Sequence, residues 1–166
     1  MQPLSTVITE IVERHHAFVR RETPRIGSLL AELGGTYPEI RPIEQLFTTL
    51  GDELNSHMFK EERVLFPYIT SLEQAVREGK TRPRSCFGSV AQPIAQMRSE
   101  HDDADGLIAR IQSLASRYAG SDALPLRSLC QALEEFGSDL HRHIDLENNV
   151  LFPQAAALEQ GHLVAH

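Results

Sequence analysis

The stretch HMFKEERVLFP, residues 57–67, recurs later in the chain as HIDLENNVLFP, residues 143–153. Both copies read His-x-x-x-Glu-x-x-Val-Leu-Phe-Pro, so the same six positions are fixed twice in one short sequence. A His and a Glu four positions apart lie on the same face of a helix, one turn from each other. The proline that closes each copy, Pro67 or Pro153, removes a backbone donor and therefore predicts that a helix ends or kinks there.

The composition is that of one ordinary globular domain of 166 residues. The formal charge of −7, from 16 basic and 23 acidic side chains, argues against nucleic acid or an anionic membrane as a partner. We see no apolar run of membrane-spanning length and no secretory signal, and we expect a cytoplasmic protein. Two cysteines, Cys86 and Cys130, do not make a disulfide framework, which agrees with a reducing compartment.

Turn-forming residues divide the chain into four segments with helical periodicity. The breaks fall at Gly34-Gly35, in the polar loop 79–90 and at Gly120-Ser121-Asp122. Each segment carries one apolar stripe at steps of three and four residues, which predicts an all-α, antiparallel (up-down-up-down) four-helix bundle with an internal two-fold repeat. We expect a single domain, 1–166, with a helix pair in 1–78, a second pair in 91–155 and a short tail in 156–166.

Ionisable side chains interrupt these apolar stripes. The stripes include Ile8, Val12, Val19, Leu50, Leu65 and Val150, and among such residues stand six ionisable ones: His16, His57, Glu61, His101, His143 and Glu147. An unpaired carboxylate in a protein core costs several kcal/mol or more, and no Lys or Arg lies on the stripes to compensate. A pair of divalent or trivalent cations would do so, with imidazoles as terminal ligands and the two carboxylates as bridges.

The spacing of the histidines shows that each half of the chain would supply half of this site. His57 follows His16 by 41 positions, and His143 follows His101 by 42. A set of four imidazoles and two carboxylates suits iron better than calcium or magnesium, while zinc, manganese and cobalt remain alternatives.

We expect residues next to the predicted ligands in the sequence to support the site, to lie at the surface or to pack in the core. Glu100 directly precedes a ligand and lies about 100° away on the helix, where it would act as a supporting proton donor or gate. A plain solvated carboxylate is the alternative for Glu100. We expect His15 and His141, which lie off the stripes, at the surface. Packing positions are expected at Met58, Phe59 and Cys130.

The sequence resembles the hemerythrin-like (HHE) di-iron proteins over nearly its whole length. It is most similar to the catalytic domain of the iron–sulfur cluster repair di-iron proteins. The resemblance is carried by RHHAFVRRETP (14–24), SHMFKEERVLFP (56–67), RSEHDDADGLI (98–108) and HIDLENNVLFP (143–153). It implies two non-haem iron ions, bridged by carboxylates and by an oxo or hydroxo group, on the six residues named above.

The resemblance also implies a role in nitrosative and oxidative stress. The implied activity is repair of iron–sulfur clusters or donation of iron to them, with reduction of nitric oxide or reaction with peroxide as enzymatic possibilities. The implied partners are nitric oxide, oxygen or peroxide, damaged iron–sulfur proteins and a separate electron donor. The alternatives are a module that binds or senses oxygen, nitric oxide or iron without turnover, and a bundle stabilised by structural zinc.

Two departures from the resembling families bear on this expectation. The repair proteins usually carry a small extra domain with a Cys-Cys pair, whereas this sequence has no adjacent cysteines. Any step that needs those thiols would depend on a separate protein. Oxygen-carrying hemerythrins use one more stripe histidine, and its absence here would leave open coordination positions, which favours small-molecule chemistry over oxygen storage.

Overall fold

A computed structural model describes residues 2–164 of the chain, with side chains described as far as residue 161. These residues form four rods and contain no strand. Rod 1 consists of α1 (Leu4–Glu10), a π-helical segment (Ile11–His16) and α2 (Ala17–Thr36). Rod 2 follows a 3-10 turn (Pro38–Ile40) and consists of α3 (Arg41–Lys60), a π-helical segment (Glu61–Leu65) and α4 (Phe66–Arg77). Rod 3 is α5 (Ala91–Ala115) with a final 3-10 turn (Ser116–Tyr118), and rod 4 consists of α6 (Leu124–Leu146), a π-helical segment (Glu147–Leu151) and α7 (Phe152–Val164).

The rods pack side by side in the order 1-2-3-4, and rod 4 closes the bundle against rod 1. Helix α2 contacts α3, α3 contacts α5, α5 contacts α6, and α6 contacts α2. The prediction of an all-α, antiparallel four-helix bundle is confirmed. Within residues 2–164, no helix is both long enough and apolar enough to cross a lipid bilayer.

The apolar core is divided into two clusters, one toward each end of the bundle. The larger cluster includes Ile26, Leu30, Phe47, Leu50, Ile108, Leu133 and Phe136. The smaller cluster includes Leu4, Ile11, Ile69, Leu72, Met97, Leu151 and Phe152. Every rod runs from one cluster to the other, so all four rods pass through the level of the bundle that separates the two clusters. That level carries the ionisable stripe residues.

Two equivalent glycines allow the rods to approach closely on the larger-cluster side of that level. A Cβ atom at Gly51 would lie 2.6 Å from Cγ2 of Thr23, and one at Gly137 would lie 2.1 Å from Nε2 of Gln112. Each glycine precedes the histidine of its motif by six residues. The internal repeat therefore includes the inter-helix distance as well as the ligands.

The π-helical segments shift the apolar stripes by one residue. Val7 and Ile11 are buried, whereas the predicted stripe positions Ile8 and Val12 are only half-buried. A π-helical turn contains one residue more than an α-helical turn, so a pattern counted in threes and fours loses register where one occurs. The same shift in rod 4 buries Leu151 in place of Val150.

The two motif prolines do not end their helices, which corrects that part of the prediction. The N–H of Phe66 donates to the carbonyl of Glu61, five residues back, and the N–H of Phe152 donates likewise to the carbonyl of Glu147. A proline in an α-helix clashes with the carbonyl four residues before it. The wider turn directly before each proline relieves that clash, and the rod continues.

The predicted tail 156–166 is also corrected, because α7 extends to Val164, and residues 165 and 166 lie outside the described part of the chain. Glu159 is only 3% exposed. It accepts hydrogen bonds from the hydroxyls of Tyr68 and Ser89, each at 2.8 Å, and from the N–H of Val90 at 3.0 Å. These bonds attach the end of rod 4 to rod 2 and to the start of rod 3.

Replacing Glu159 with alanine should therefore destabilise the fold. The loss of three hydrogen bonds in a buried setting is expected to lower the free energy of unfolding by about 1–3 kcal/mol. Denaturant unfolding followed by circular dichroism measures this change. Gln160→Ala, at the exposed neighbouring position, is the matched control and should have little effect.

The contribution of Glu159 should also depend on pH. Burial raises the pKa of Glu159, but the hydrogen bonds from Tyr68, Ser89 and Val90 outweigh burial and hold the pKa below its ordinary value of 4.5. A lowered pKa in the folded state gives stability that is present above the ordinary value and is lost as the pH falls through the folded-state pKa. The stability difference between the protein and Glu159→Gln should thus shrink in acid. A difference that stays constant from neutral to acidic pH would contradict this assignment.

Candidate metal centre

The six predicted ligands meet in the level between the two apolar clusters, and none is more than 2% exposed. They form two overlapping groups, within each of which the ligand atoms lie within 4.8 Å of one another. Site A consists of His16, Glu61, His143 and Glu147, and site B consists of His57, Glu61, His101 and Glu147. All four rods contribute, and both carboxylates belong to both sites.

Glu61 presents one oxygen to each site. Its Oε2 lies 3.2 Å from Nε2 of His16 in site A, and its Oε1 lies 3.1 Å from Nε2 of His57 in site B. The contact with His57 follows from the four-residue spacing of the motif. A carboxylate that faces two sites with separate oxygens has the geometry that a bridging ligand needs.

Glu147 repeats this arrangement from the opposite side. Its Oε1 lies 3.0 Å from Nε2 of His143 in site A, and its Oε2 lies 2.8 Å from Nε2 of His101 in site B. The two carboxylates thus stand between two pairs of imidazoles. Both glutamates open a π-helical segment, a feature that occurs often at functional positions in helices.

The atoms of the two sites converge, and hydrogen bonds among them satisfy only some of the carboxylate oxygens. The Nε2 atoms of the two site A imidazoles are 3.2 Å apart, and those of site B are 3.1 Å apart. Both oxygens of Glu61 and Oε2 of Glu147 have no hydrogen-bond partner among the described residues. A metal ion requires lone pairs that point at a common centre. Each buried acceptor without a partner lowers the stability of the fold by about 1–3 kcal/mol, and a cation at the centre would compensate that cost.

Three of the four imidazoles are oriented by hydrogen bonds from their other ring nitrogen. The pairs are His16 Nδ1 to Glu62 at 2.7 Å, His57 Nδ1 to Glu100 at 3.1 Å, and His101 Nδ1 to Asn148 at 2.9 Å. A proton on Nδ1 leaves Nε2 with the lone pair that a metal needs, and such partners fix the ring. The Nδ1 atom of His143 is buried and has no partner in the described structure.

The supporting roles of Glu62 and Asn148 were missed from the sequence. A signal for them exists, because each directly follows the glutamate of its motif and the two therefore occupy equivalent positions in the repeat. Glu62 also accepts from Arg20 at 2.9 Å. Partial burial raises the pKa of Glu62, but hydrogen bonds from Arg20 and His16 outweigh it and lower the pKa.

The prediction that His15 lies at the surface is wrong. His15 is 3% exposed, its Nδ1 lies 3.1 Å from both carboxylate oxygens of Asp139, and its ring stacks on that of His143 with 5.6 Å between centroids. The π-helical segment that ends at His16 turns two consecutive residues toward the interior. His141 is exposed, as predicted, and its Nε2 lies 3.4 Å from Oδ1 of Asp105.

Of the two packing predictions within the first motif, one is confirmed and the other is wrong. Met58 is fully buried, which confirms the expectation, whereas Phe59 is 61% exposed, which contradicts it. The two residues are neighbours on one helix and point about 100° apart, so only one of them can face the core. The guanidinium of Arg63 covers the exposed ring of Phe59 at 5.7 Å. Cys130 is buried, as expected, and its thiol donates to the carbonyl of Ala115.

A cavity of about 270 Å³ opens beside site B. His57 and His101 line it, together with Glu53, Lys60 and Glu100. Glu100 accepts a hydrogen bond from Nζ of Lys60 at 2.5 Å, and its other oxygen lies 3.1 Å from Nδ1 of His57. Partial burial raises the pKa of Glu100, but hydrogen bonds from Lys60, Gln96 and His57 outweigh it, so the pKa stays below its ordinary value.

Comparison with known proteins places this geometry in a family. Residues 7–155 match the family described as "Hemerythrin HHE cation binding domain". The chain is 32% identical over 163 residues to the "Iron-sulfur cluster repair protein YtfE" of Salmonella paratyphi B, with 95% of this chain and 68% of the relative covered. The proteins of the same name from Salmonella newport and Salmonella heidelberg match with the same identity and coverage.

Metal binding at the two sites should release protons. Burial lowers the pKa of His16, but its contacts with Glu147 and Glu61 outweigh burial and raise the pKa to about 10. The metal-free protein therefore carries a proton on this imidazole at neutral pH, and ligation must displace it. Metal affinity should rise with pH, and calorimetric titration in buffers of different ionisation enthalpy should show proton release. Binding that is independent of pH from mildly acidic to mildly alkaline solution would contradict this prediction.

Replacing either shared carboxylate with leucine should abolish binding of two metal ions. Glu61→Leu or Glu147→Leu removes one oxygen from each site, so both sites lose a ligand at once. Helical content should persist, because the two apolar clusters lie on either side of the substitution. Elemental analysis measures the stoichiometry, and Glu135→Leu on the exposed face of α6 is the control. Two ions per chain in both glutamate variants would refute the shared-ligand geometry.

Proposed function

Because the chain belongs to the hemerythrin HHE cation-binding family, we propose that it holds one iron ion at site A and one at site B. We propose further that it uses this iron to repair iron–sulfur clusters. The observation that carries the proposal is the pair of buried carboxylates, each with one oxygen facing each site.

The donor set supports iron over the hard cations. Calcium and magnesium take oxygen ligands, whereas four imidazoles and two carboxylates suit first-row transition metals. The orphaned buried oxygens of Glu61 and Glu147 fit a resident metal ion. The site contains no cysteine, and the sulfur-rich coordination typical of iron–sulfur clusters is not offered there.

The protein's own residues would hold, orient and shield the metal. The imidazole partners Glu62, Glu100 and Asn148 keep three rings in the tautomer that leaves Nε2 free. The two apolar clusters exclude water from above and below the site. When bound, iron would supply exchange between ferrous and ferric states, or ferrous iron for delivery.

The cavity beside site B supports a route by which iron or a small molecule enters and leaves. Three carboxylates, those of Glu53, Glu100 and Asp103, line it near His57 and His101. Lys60 pairs with one of them, Glu100. Oxygen ligands along a path can take a cation in steps, so that it is never stripped of all its ligands at once. The names of the relatives assign cluster repair to them, and this route is consistent with a donor of iron.

An anaerobic transfer assay tests the proposal. The iron-loaded protein is mixed with an iron–sulfur enzyme whose cluster has been damaged by nitric oxide, in the presence of sulfide and a thiol reductant. We expect the enzyme's activity and its cluster absorption to recover. The Glu147→Leu variant, treated with the same iron, should give no more recovery than free ferrous iron at equal concentration. Equal recovery with the protein, the variant and free iron would contradict cluster repair.

Reduction of nitric oxide is a second candidate, favoured by the same cavity because it would bring a diatomic molecule to the ligands of site B. Two nitric oxide molecules and two electrons would give one nitrous oxide and one water, with two protons taken up. The electrons must come from the reduced centre or from an added donor.

Gas analysis after addition of nitric oxide to the reduced protein separates the functions. Nitrous oxide in excess over protein, with an electron donor present, supports the enzyme. A stable spectral change without nitrous oxide supports a sensing module and excludes reduction.

A further inference from the structure

The two halves of the repeat carry different residues at several equivalent positions beside the metal sites. Glu100 directly precedes His101, and its equivalent in the first half is His15, which directly precedes His16. Glu53 lies four residues before His57, and its equivalent is Asp139, four residues before His143. At these two positions, the site B side of the centre carries two acids, whereas the site A side carries an imidazole and an acid.

On the site B side these residues leave the centre open. Glu53 and Glu100 both line the cavity of about 270 Å³ that reaches the ligands His57 and His101. Glu100 is held to the wall by Lys60 and His57. The remaining space extends from solvent to two metal-ligating rings.

On the site A side the equivalent space is closed. His15 lies against Asp139, with 3.1 Å from Nδ1 to either oxygen, and its ring lies nearly parallel to that of His143, with 12° between the planes. A depression of about 510 Å³ exists on this face, lined in part by Phe18, Asp139 and Arg142. No ligand of either site lines it.

The closure is completed by larger side chains at other equivalent positions. Phe18 stands where the second half has Asp103, two residues after the ligand in each case. Arg142 stands where the first half has Ser56, directly before the ligand. Asp103 and Ser56 line the open cavity, and Phe18 and Arg142 line the closed depression.

We propose that His15, held by Asp139, is a positioning residue that closes one face of the centre, so that the two metal ions exchange with solvent at different rates. The ion at site B leaves through the open cavity. The ion at site A is retained until the His15 ring swings away from His143. This inference rests on the proposed two-metal centre.

Release of iron to a chelator tests the proposal. The protein is loaded anaerobically with ferrous iron, the stoichiometry is measured, and an excess of a chromogenic ferrous chelator is added. Two phases of equal amplitude are expected, with the second at least about tenfold slower, a difference of roughly 1.4 kcal/mol in barrier height. Two bound ions that leave in a single phase would overturn the inference alone. Fewer than two bound ions would overturn the two-metal centre and the inference with it.

Variants assign the phases to the two sites. His15→Ala opens the closed face and should accelerate the slow phase to approach the fast one, while the fast phase stays unchanged. Asp139→Ala frees the ring without removing it and should act in the same direction. A purely structural effect would accelerate both phases together, so acceleration confined to the slow phase is the diagnostic result. An unchanged slow phase in either folded variant would overturn the proposal.

Two further variants serve as matched controls. Glu100→Ala, at the position equivalent to His15, removes the partner of His57 and should accelerate only the fast phase. His141→Ala removes an exposed imidazole from the same rod as His143 and should change neither phase. Acceleration of the slow phase by Glu100→Ala would contradict the assignment of that phase to site A.

Discussion

The burial of two carboxylates and four imidazoles between two apolar clusters is the constraint on which the rest of this structure depends. A domain is stable by only about 5–15 kcal/mol, and several unpaired buried charges would cancel that margin. In the part of the chain that the structure describes, every cationic group within ion-pair distance of Glu61 or Glu147 is an imidazole. Shared metal ions would compensate all six groups at once, and the two-fold repeat is the simplest way to bring matched side chains to one level of a bundle.

The elements that the sequence predicts well are those that repeat. The motif His-x-x-x-Glu needs only the helical period to place both side chains on one face. Its two copies lie in rods 2 and 4, which run in the same direction and face each other across the bundle, so both faces meet at the centre. The same logic applies to Glu62 and Asn148 and to Gly51 and Gly137, whose equivalent positions in the two halves carry equivalent roles in ring orientation and helix approach. These four positions follow from the repeat itself, because each occupies the same place in both halves of the sequence.

The elements that escaped prediction are those that break the helical period or depend on distant contacts. A single extra residue in a π-helical turn moves Ile11 into the core in place of Val12 and turns His15 inward. No local pattern distinguishes such a turn from an α-helical one, although the prolines at the ends of the motifs are consistent with it. The extension of rod 4 depends on Glu159, whose partners lie about 70 to 90 positions away along the chain, and helical periodicity contains no information about that contact.

X-ray absorption spectroscopy of the iron-loaded protein tests the central claim most directly, because it reports the neighbours of the metal without requiring activity. A centre of the proposed kind predicts iron surrounded by nitrogen and oxygen atoms, with an imidazole signature and a second iron as a distinct neighbour. Iron that has no iron neighbour, or that is bound by sulfur, would contradict a shared pair of carboxylates between sites A and B.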